Sequence, residues 1–566
     1  MAHILSQLSP EWIKVRDPDN ADREDEDEDE RGDRAVLRST LAACARVCRA
    51  FSGPALDAQW RVLDDVVVLL KILPHTMTHP DDAPGSEGGT DMKSARLDVL
   101  ALSPVIDDTA WVKFRGFACR VRELNSGPPK CFIQPDVWSV LATRLQGSPL
   151  LPRLQRLHIS MNYNDPASFV LCLSPTLRQL SFAVCDDQGT PMTANSEFVQ
   201  NILSVLSSTE KLPFISSRQV AGQSLPESAE AIAQHLCSIG RLSRLEVLNL
   251  APTGSRIEVP ALRALSTLPS LRSLRLLVPC KGEDEDDALS LDGLSTIRHL
   301  HLSGKAEDIL RIMVAIPPAD LRDLRLCFRG SYLNAITRSL GAMKRYIPRE
   351  LESLECTFCG PIANGPKSLH GLFHPFFKFH DLKYFGIRIL MGHDMNIWDN
   401  DLRAFGTCWP KLERFALDYW DLPGAGVSRS AARPTITGLI KLTQGCPQLR
   451  FLRLLGLTLG ELPAVDAIPK ERHARLRYFD PGMLVDDEKA DLDEVAQVLD
   501  SLFPDLADVL QKDVDRNLPR DTVSWDKVQE LMGARRAARK LDGPNSILHE
   551  ALSPEDTLAM ISLLLL

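Results

Sequence analysis

No stretch of this 566-residue sequence approaches the ~18 apolar residues of a membrane-spanning helix; Met560-Ile-Ser-Leu-Leu-Leu-Leu566 is far too short. The first residues, Met1-Ala-His-Ile-Leu-Ser, lack the basic region and apolar run of a secretory signal. No N-x-S/T sequon occurs, and the thirteen cysteines are an odd, scattered set. Together these features favour a reducing interior, so the expected location is cytoplasm or nucleus. An excess of basic residues is missing too. The formal net charge is −10, which argues against nucleic acid as the main partner. No P-loop, H-E-x-x-H or G-x-S-x-G is present, and Gly424-Ala-Gly426 lacks the third glycine of a dinucleotide site. None of the thirteen histidines sits in a recognisable nucleophile constellation. The expectation is a chain with no enzymatic activity and no cofactor, and with neither membrane nor nucleic acid as partner.

What the chain does have is one short pattern, L-x-x-L-x-L, written many times. It occurs at Leu245-Leu248-Leu250 and again at Leu154-Leu157-Ile159, Leu177-Leu180-Phe182, Leu271-Leu274-Leu276, Ile297-Leu300-Leu302 and Leu321-Leu324-Leu326. Further copies are Leu351-Leu354-Cys356, Leu382-Phe385-Ile387, Leu412-Phe415-Leu417 and Leu449-Leu452-Leu454, with a degraded one at Leu476-Arg-Tyr-Phe479. Most steps between copies lie near the ~20–29 residues of leucine-rich repeats, each a strand plus a returning helix. A step of 68 residues after Leu177 has room for further eroded units. One strand and one helix cannot bury their apolar faces alone, so such units stack on their neighbours. Several copies are introduced alike: Leu151-Pro-Arg-Leu154, Leu268-Pro-Ser-Leu271, Trp409-Pro-Lys-Leu412 and Cys446-Pro-Gln-Leu449. The expected fold is an α/β leucine-rich-repeat solenoid, a horseshoe with a parallel sheet on its concave wall.

Ahead of the repeats, Asp22-Arg-Glu-Asp-Glu-Asp-Glu-Asp-Glu-Arg31 is a block of like charge, and residues 1–33 are expected to form a disordered acidic tail. From Arg34 to Pro74 the apolar residues Leu37, Leu41, Cys44, Val47, Cys48 and Phe51 mark an amphipathic helix. Ser52-Gly-Pro54 is expected to break it, with Ala55–Leu63 and Val66–Leu73 as a second helical stretch. Val47, Phe51, Leu56 and Trp60 are expected to be buried.

The residues Leu41-Ala-Ala-Cys44-Ala-Arg-Val47-Cys48-Arg49-Ala-Phe51, then Leu56, then Trp60-Arg61-Val-Leu63, resemble the second half of an F-box. Trp111-Val-Lys-Phe114, Ala118-Cys-Arg-Val121-Arg122-Glu-Leu124 and Phe169–Leu177 are similar to the connecting segments of fungal, basidiomycete-type F-box proteins with leucine-rich repeats behind the box. The resemblance covers most of residues 37–480. It implies the substrate-recognition subunit of an SCF-type (Skp–cullin–F-box) ubiquitin ligase, with a Skp-type adaptor and cullin scaffold as partners and a protein substrate on the concave face. The alternative is a repeat scaffold that never meets a ligase. Adaptor-docking residues implied are Leu8, Pro10, Leu41, Val47, Phe51, Leu56 and Trp60. The chain departs from the family at the first F-box helix. Its nearest counterpart, Leu8-Ser-Pro10-Glu11-Trp-Ile13, is separated from the rest by the acidic block. Either the box carries an insertion or that helix is lost and the hairpin caps the repeats. The expected organisation is tail 1–33, F-box-like helical hairpin 34–75, linker 76–96, repeats 97–482 and a C-terminal helical cap 483–566.

Candidate substrate contacts follow from the repeat. The residue between the second and third apolar positions faces solvent, which places Arg275, His301 and Arg325 on three successive strands beside His299. Tyr384, Arg388, Tyr419 and Trp420 add aromatic and arginine character of the kind enriched at binding hot spots. The patch is expected to take an acidic or phosphorylated segment, more tightly as His301 protonates toward pH ~6. Cys356-Thr-Phe-Cys359 with His370 and His374 imitates zinc-site spacing. The repeat accounts for both cysteines without a metal, and none is expected.

Overall fold

A computed structural model describes residues 27–78, 98–103, 105–126, 131–162, 171–185, 244–250, 265–266, 268–278, 291–316, 318–359, 368–390, 396–420, 432–459, 462–463, 475–485, 491–504, 506, 522–523 and 525–542. These divide between Leu271 and Arg272 into two compact units.

The first unit runs through α1 (Asp27–Val47), α2 (Arg49–Gln59), β1 (Val62–Leu63), α3 (Val66–Leu70), β2 (His75–Thr78), β3 (Asp98–Leu102) and α4 (Asp108–Ala118). It continues with β4 (Glu123–Ser126), β5 (Cys131–Ile133), α5 (Pro135–Leu145), β6 (Arg156–Asn162), β7 (Gln179–Cys185) and β8 (Val247–Asn249). Strands β1, β4, β6, β7 and β8 form a parallel ladder in that order. A smaller sheet pairs β2 antiparallel with β3, and β3 parallel with β5.

Three local expectations are corrected here. Helix α1 begins at Asp27, inside the segment expected to stay unfolded. Acidic residues suit a helix N-terminus, and Asp27 and Glu30 stand four residues before Arg31 and Arg34. The helix break comes at Cys48, whose backbone is extended (φ −162°, ψ 166°), while Pro54 lies within α2. A proline in the second turn removes only one helical hydrogen bond. Val62 and Leu63 are the first rung of the ladder, pairing with Glu123 and Leu124. The ladder therefore starts inside the F-box-like segment.

The second unit runs through β9 (Ser273–Leu277), β10 (His299–Gly304), α6 (Ala306–Ala315), β11 (Asp323–Arg329), α7 (Leu333–Met343), β12 (Ser353–Cys359), α8 (Leu369–Phe373), β13 (Tyr384–Leu390) and α9 (Asp399–Cys408). It ends with β14 (Arg414–Trp420), α10 (Ile436–Gly445), β15 (Phe451–Arg453), β16 (Gly456–Thr458), β17 (Tyr478–Asp480), β18 (Met483–Val485), α11 (Leu492–Leu502), β19 (Thr522–Val523) and α12 (Trp525–Asp542). Strands β9 to β15 and then β17 make a parallel ladder, omitting β16. β16, β18 and β19 form a separate small sheet.

Two features hold the register. The carbonyl just before each strand accepts the first two N–H groups of the next rung: Arg298 and His299 both donate to Arg272, and Arg322 and Asp323 both donate to Arg298. Leu274, Leu300, Leu324, Leu354, Phe385, Phe415, Leu452 and Phe479 then stack in one buried row. The recurring x-Pro-x-Leu lead-in closes a turn, with Leu412 N–H donating to Trp409 and Leu449 N–H to Cys446. Proline there sits at the second turn position, where its fixed φ fits. Phe385 is the hub of the core: Trp409, Phe373 and Phe405 pack around it at centroid distances of 4.6, 5.0 and 5.6 Å.

Successive repeats are also joined through helix starts. The buried Asp401 carboxylate accepts from Trp398 N–H, Ser368 Oγ and His370 N–H. Asp399 accepts from both N–H and Oγ1 of Thr435. At the C-terminal end, α11 and α12 bury Val495, Val498, Leu499, Val528 and Met532. Arg536 there joins Asp500 at 2.9 Å and the carbonyls of Leu506 and Phe503. Its guanidinium is built into the packing between these helices. Among the described residues no helix is long and apolar enough to cross a membrane.

Candidate functional site

The side chains that alternate with the buried rows of the second unit form its outward sheet face. Arg275, His301 and Arg325 are paired neighbours on β9, β10 and β11, as the repeat spacing predicts. The same row continues through Glu355, Gly386, Ala416, Arg453 and Asp480.

Charge on this face differs from the expected cationic ladder. Arg325 Nε lies 3.6 Å from both Asp323 and Glu355, and Arg388 Nε lies 3.0 Å from Glu355. The Glu355 carboxylate is only 6% exposed, and these two guanidiniums are its counter-ions. Burial alone would lower the Arg388 pKa; Glu355, Tyr384 and Asp418 together outweigh it and the value rises. His299 Nδ1 is 4.0 Å from Asp323. His301 is held neutral: burial, then Arg275, Arg325, Arg329 and Arg388, push its pKa well below the usual value. The expected tightening of binding through His301 near pH 6 is therefore withdrawn. The imidazole offers one donor and one acceptor instead of a charge.

A second outward row lies two residues earlier on each strand, and of it only His299 and Tyr384 were singled out from the sequence. It carries Ser273, His299, Asp323, Ser353, Tyr384, Arg414, Phe451 and Tyr478. Its last four members are three aromatic rings and one arginine, Arg414. The Arg414 guanidinium lies 5.1 Å from the Tyr384 ring centroid and 5.6 Å from that of Phe451, while Phe451 and Tyr478 stack at 4.4 Å. Arg453 joins from the adjacent row, 5.8 Å from both of those rings and bonded to Asp418, Asp480 and the Tyr478 hydroxyl. The period-2 rule that puts one row on this face puts the other there as well.

Tyr384 occupies the space above Gly386. A Cβ on that glycine would stand 2.5 Å from the Tyr384 hydroxyl, so the ring position requires a glycine one rung-pair along. Burial and the Glu355 charge raise the Tyr384 pKa. Tyr419 shares backbone register with Ile389, Phe358 and Phe328. Trp420 stands opposite Leu390 at the end of β14. The side chains of Tyr419 and Trp420 lie outside the described residues.

The zinc-like spacing is taken apart by the strand. Cys356 and Cys359 are three apart on β12, hence on opposite faces: Cys356 is in the core, while Cys359 Sγ is 3.4 Å from Cys327 Sγ on the neighbouring strand. The hydrogen bond from Cys359 lowers the Cys327 pKa to about 6 against the effect of burial, and Cys359 keeps the shared proton. Among the described residues no group of three or more His, Cys, Asp or Glu side chains is placed to hold a metal.

In the first unit the residues implied for adaptor docking separate. Leu41 is fully buried with Ala58, and Phe51 packs against them. Trp60 is half-buried on Phe117, ring centroids 4.6 Å apart, and Leu56 is half-buried. Val47 is 70% exposed, contrary to expectation. The helix ends there and the chain extends through Cys48. Leu8 and Pro10 lie outside the described residues.

No protein-family model matches the chain, and no curated protein matches it. Among solved structures it is similar to the complex of Rad7 and Elc1 in yeast, at 13% identity and TM-score 0.29 over 66% of this chain and 82% of that one. It is also similar to the PEPR1–AtPEP1 complex, at 14% identity and TM-score 0.26 over 69% of this chain and 48% of that one. Likeness at this level carries no argument about role.

Proposed function

We propose that this chain is a non-catalytic protein-interaction subunit of the leucine-rich-repeat type, whose partner surface is the outward sheet face of the second unit. The observation that carries this reading is the continuous pair of outward rows from Arg275 to Asp480, where arginines, aromatics and carboxylates meet in register. Such a face offers planar donors, stacking surfaces and acceptors at fixed strand spacing, which is how a rigid surface selects a partner segment. Its chemistry is mixed in sign, so the partner segment carries both acidic and apolar groups.

On the resemblance of Leu41–Leu63 to an F-box, the specific role is substrate recognition in an SCF-type ubiquitin ligase, with the exposed Val47 end of α1 facing a Skp-type adaptor. One observation favours the second reading, a scaffold without a ligase. Leu41, Phe51 and Trp60 are engaged within their own unit and not held free for an adaptor.

Affinity capture with the wild-type chain and with Arg275→Ala/Arg325→Ala tests the outward face. Arg325→Ala takes one of two counter-ions from Glu355, so melting curves accompany the capture, and Arg275→Ala alone serves if the double variant unfolds. Partners recovered by the wild type should drop out with the double variant. Identical recovery in identity and amount makes this face ordinary solvated surface.

A further inference from the structure

The rim of the first unit's ladder carries a second, separate concentration of charge. The carbonyl-to-two-amide pattern stacks Arg61, Arg122, Gln155, Arg178 and Glu246 in one column: Arg122 and Glu123 donate to Arg61, Gln155 and Arg156 to Arg122, Arg178 and Gln179 to Gln155, and Glu246 and Val247 to Arg178. Beside this column runs a cleft of about 400 Å³ lined by Arg61, Arg122, Gln155, Arg156, Arg178 and Gln179, with Glu246 and Val247 at its end. Four guanidiniums thus share a cleft with one lining carboxylate, in a chain whose formal net charge is −10. Arg122 feels the crowding: burial, then Arg153 and Arg61, lower its pKa.

The same column in the second unit is neutralised from within. Arg298 meets Asp320 at 2.9 Å, Arg322 meets Glu352 at 3.5 Å and Lys383 meets Glu352 at 2.7 Å. The first unit's column carries arginine or glutamine at four of its five positions, with Glu246 at the end. Arg156 pairs with Glu123, and Arg178 stands 3.9 Å from Glu246.

We propose that this cleft binds a phosphorylated side chain carried on an extended peptide. A phosphoryl group brings nearly two negative charges and three acceptor oxygens to one point, matching several arginine forks at once. Gln155 and Gln179 supply neutral amide donors for the remaining acceptors. The column crosses five strands, four steps of ~4.8 Å, or ~19 Å in all. That length suits about six residues of extended peptide rather than a lone anion. The inference concerns the first unit and stands whether or not the second unit's outward face holds a partner.

The test is fluorescence anisotropy of the full-length protein with a labelled peptide library centred on phosphoserine. Parallel arms use the serine and aspartate libraries, and inorganic phosphate is the competitor. The phosphoserine library should bind at least ~10-fold more tightly than the serine library, with affinity falling as salt rises. Arg122→Gln/Arg178→Gln should weaken it ~10-fold or more, while Arg298→Gln in the other unit leaves it unchanged. Should the double variant fail to fold, Arg178→Gln alone, on a more exposed side chain, is expected to give a ~3–10-fold loss. Three results would each overturn the proposal: equal binding of the serine library, no effect of the folded variants, or displacement by inorganic phosphate as effective as by unlabelled phosphopeptide.

Discussion

Arg388 on β13 reaches diagonally back to Glu355 on β12, placing Nε 3.0 Å from a carboxylate that Arg325 approaches from the opposite side. Glu355 is nearly out of contact with water, so those two guanidiniums offset the cost of burying it. Glu355→Ala leaves two cations facing each other without their shared counter-ion. It should lower unfolding free energy by about 3 kcal/mol, read as a shift in the urea midpoint at constant m-value. Glu355→Gln keeps the shape and removes the charge, and should cost less than Glu355→Ala. A change below about 0.5 kcal/mol for both means that the pair does not organise the face.

His301 gives a pH prediction whose sign differs from ordinary intuition about histidine as a switch. Its folded pKa is depressed, so below the unfolded value of ~6.5 the unfolded chain binds the proton more readily. Stability should therefore fall as pH drops from ~6.5, by up to about 1.4 kcal/mol per pH unit from this residue until the folded pKa is reached. Comparing urea midpoints of wild type and His301→Gln from pH 7.5 to 5.5 isolates the effect from carboxylates that titrate in both. Equal slopes would show that His301 titrates normally.

The Tyr384 ring and Gly386 form a steric pair. Gly386→Ala drives a methyl into the Tyr384 hydroxyl and displaces the ring from Arg414, at a cost of about 1–3 kcal/mol. In a Tyr384→Ala background the obstruction is gone, and the added methyl should then be nearly neutral. A double-mutant cycle on thermal unfolding checks this through its coupling energy. Additive effects would mean that the ring moves aside freely.

How much of this was legible beforehand follows from the range of each signal. Every copy of L-x-x-L-x-L from Leu154 to Leu476 sits at a strand, because its leucines fill the same buried rows and little else fits there. Val62-Leu63 and Glu123-Leu124 were not read as strands because Asp65 and Ser126 stand where the third apolar residue belongs, though each segment meets a rung. Arg414, Phe451 and Tyr478 were visible in principle but were missed because only His299 and Tyr384 were read from their row, without following it along the strands. The neutrality of His301 was beyond sequence reading. It depends on Arg275, Arg325, Arg329 and Arg388, which β9, β11 and β13 bring together from distant positions in the chain. Pattern gives the row a residue occupies; charge state needs the neighbouring rows.

The proposal that this chain recognises substrates for an SCF-type ligase is tested most directly by titrating the full-length protein with a purified Skp-type adaptor in a calorimeter. Binding with one-to-one stoichiometry and micromolar or tighter affinity is predicted. Val47→Asp should weaken it by about tenfold while leaving the melting curve unchanged, because Val47 is exposed. Absence of binding at about 100 µM adaptor, or binding indifferent to Val47→Asp, would contradict docking through the end of α1 and leave a repeat scaffold without a ligase.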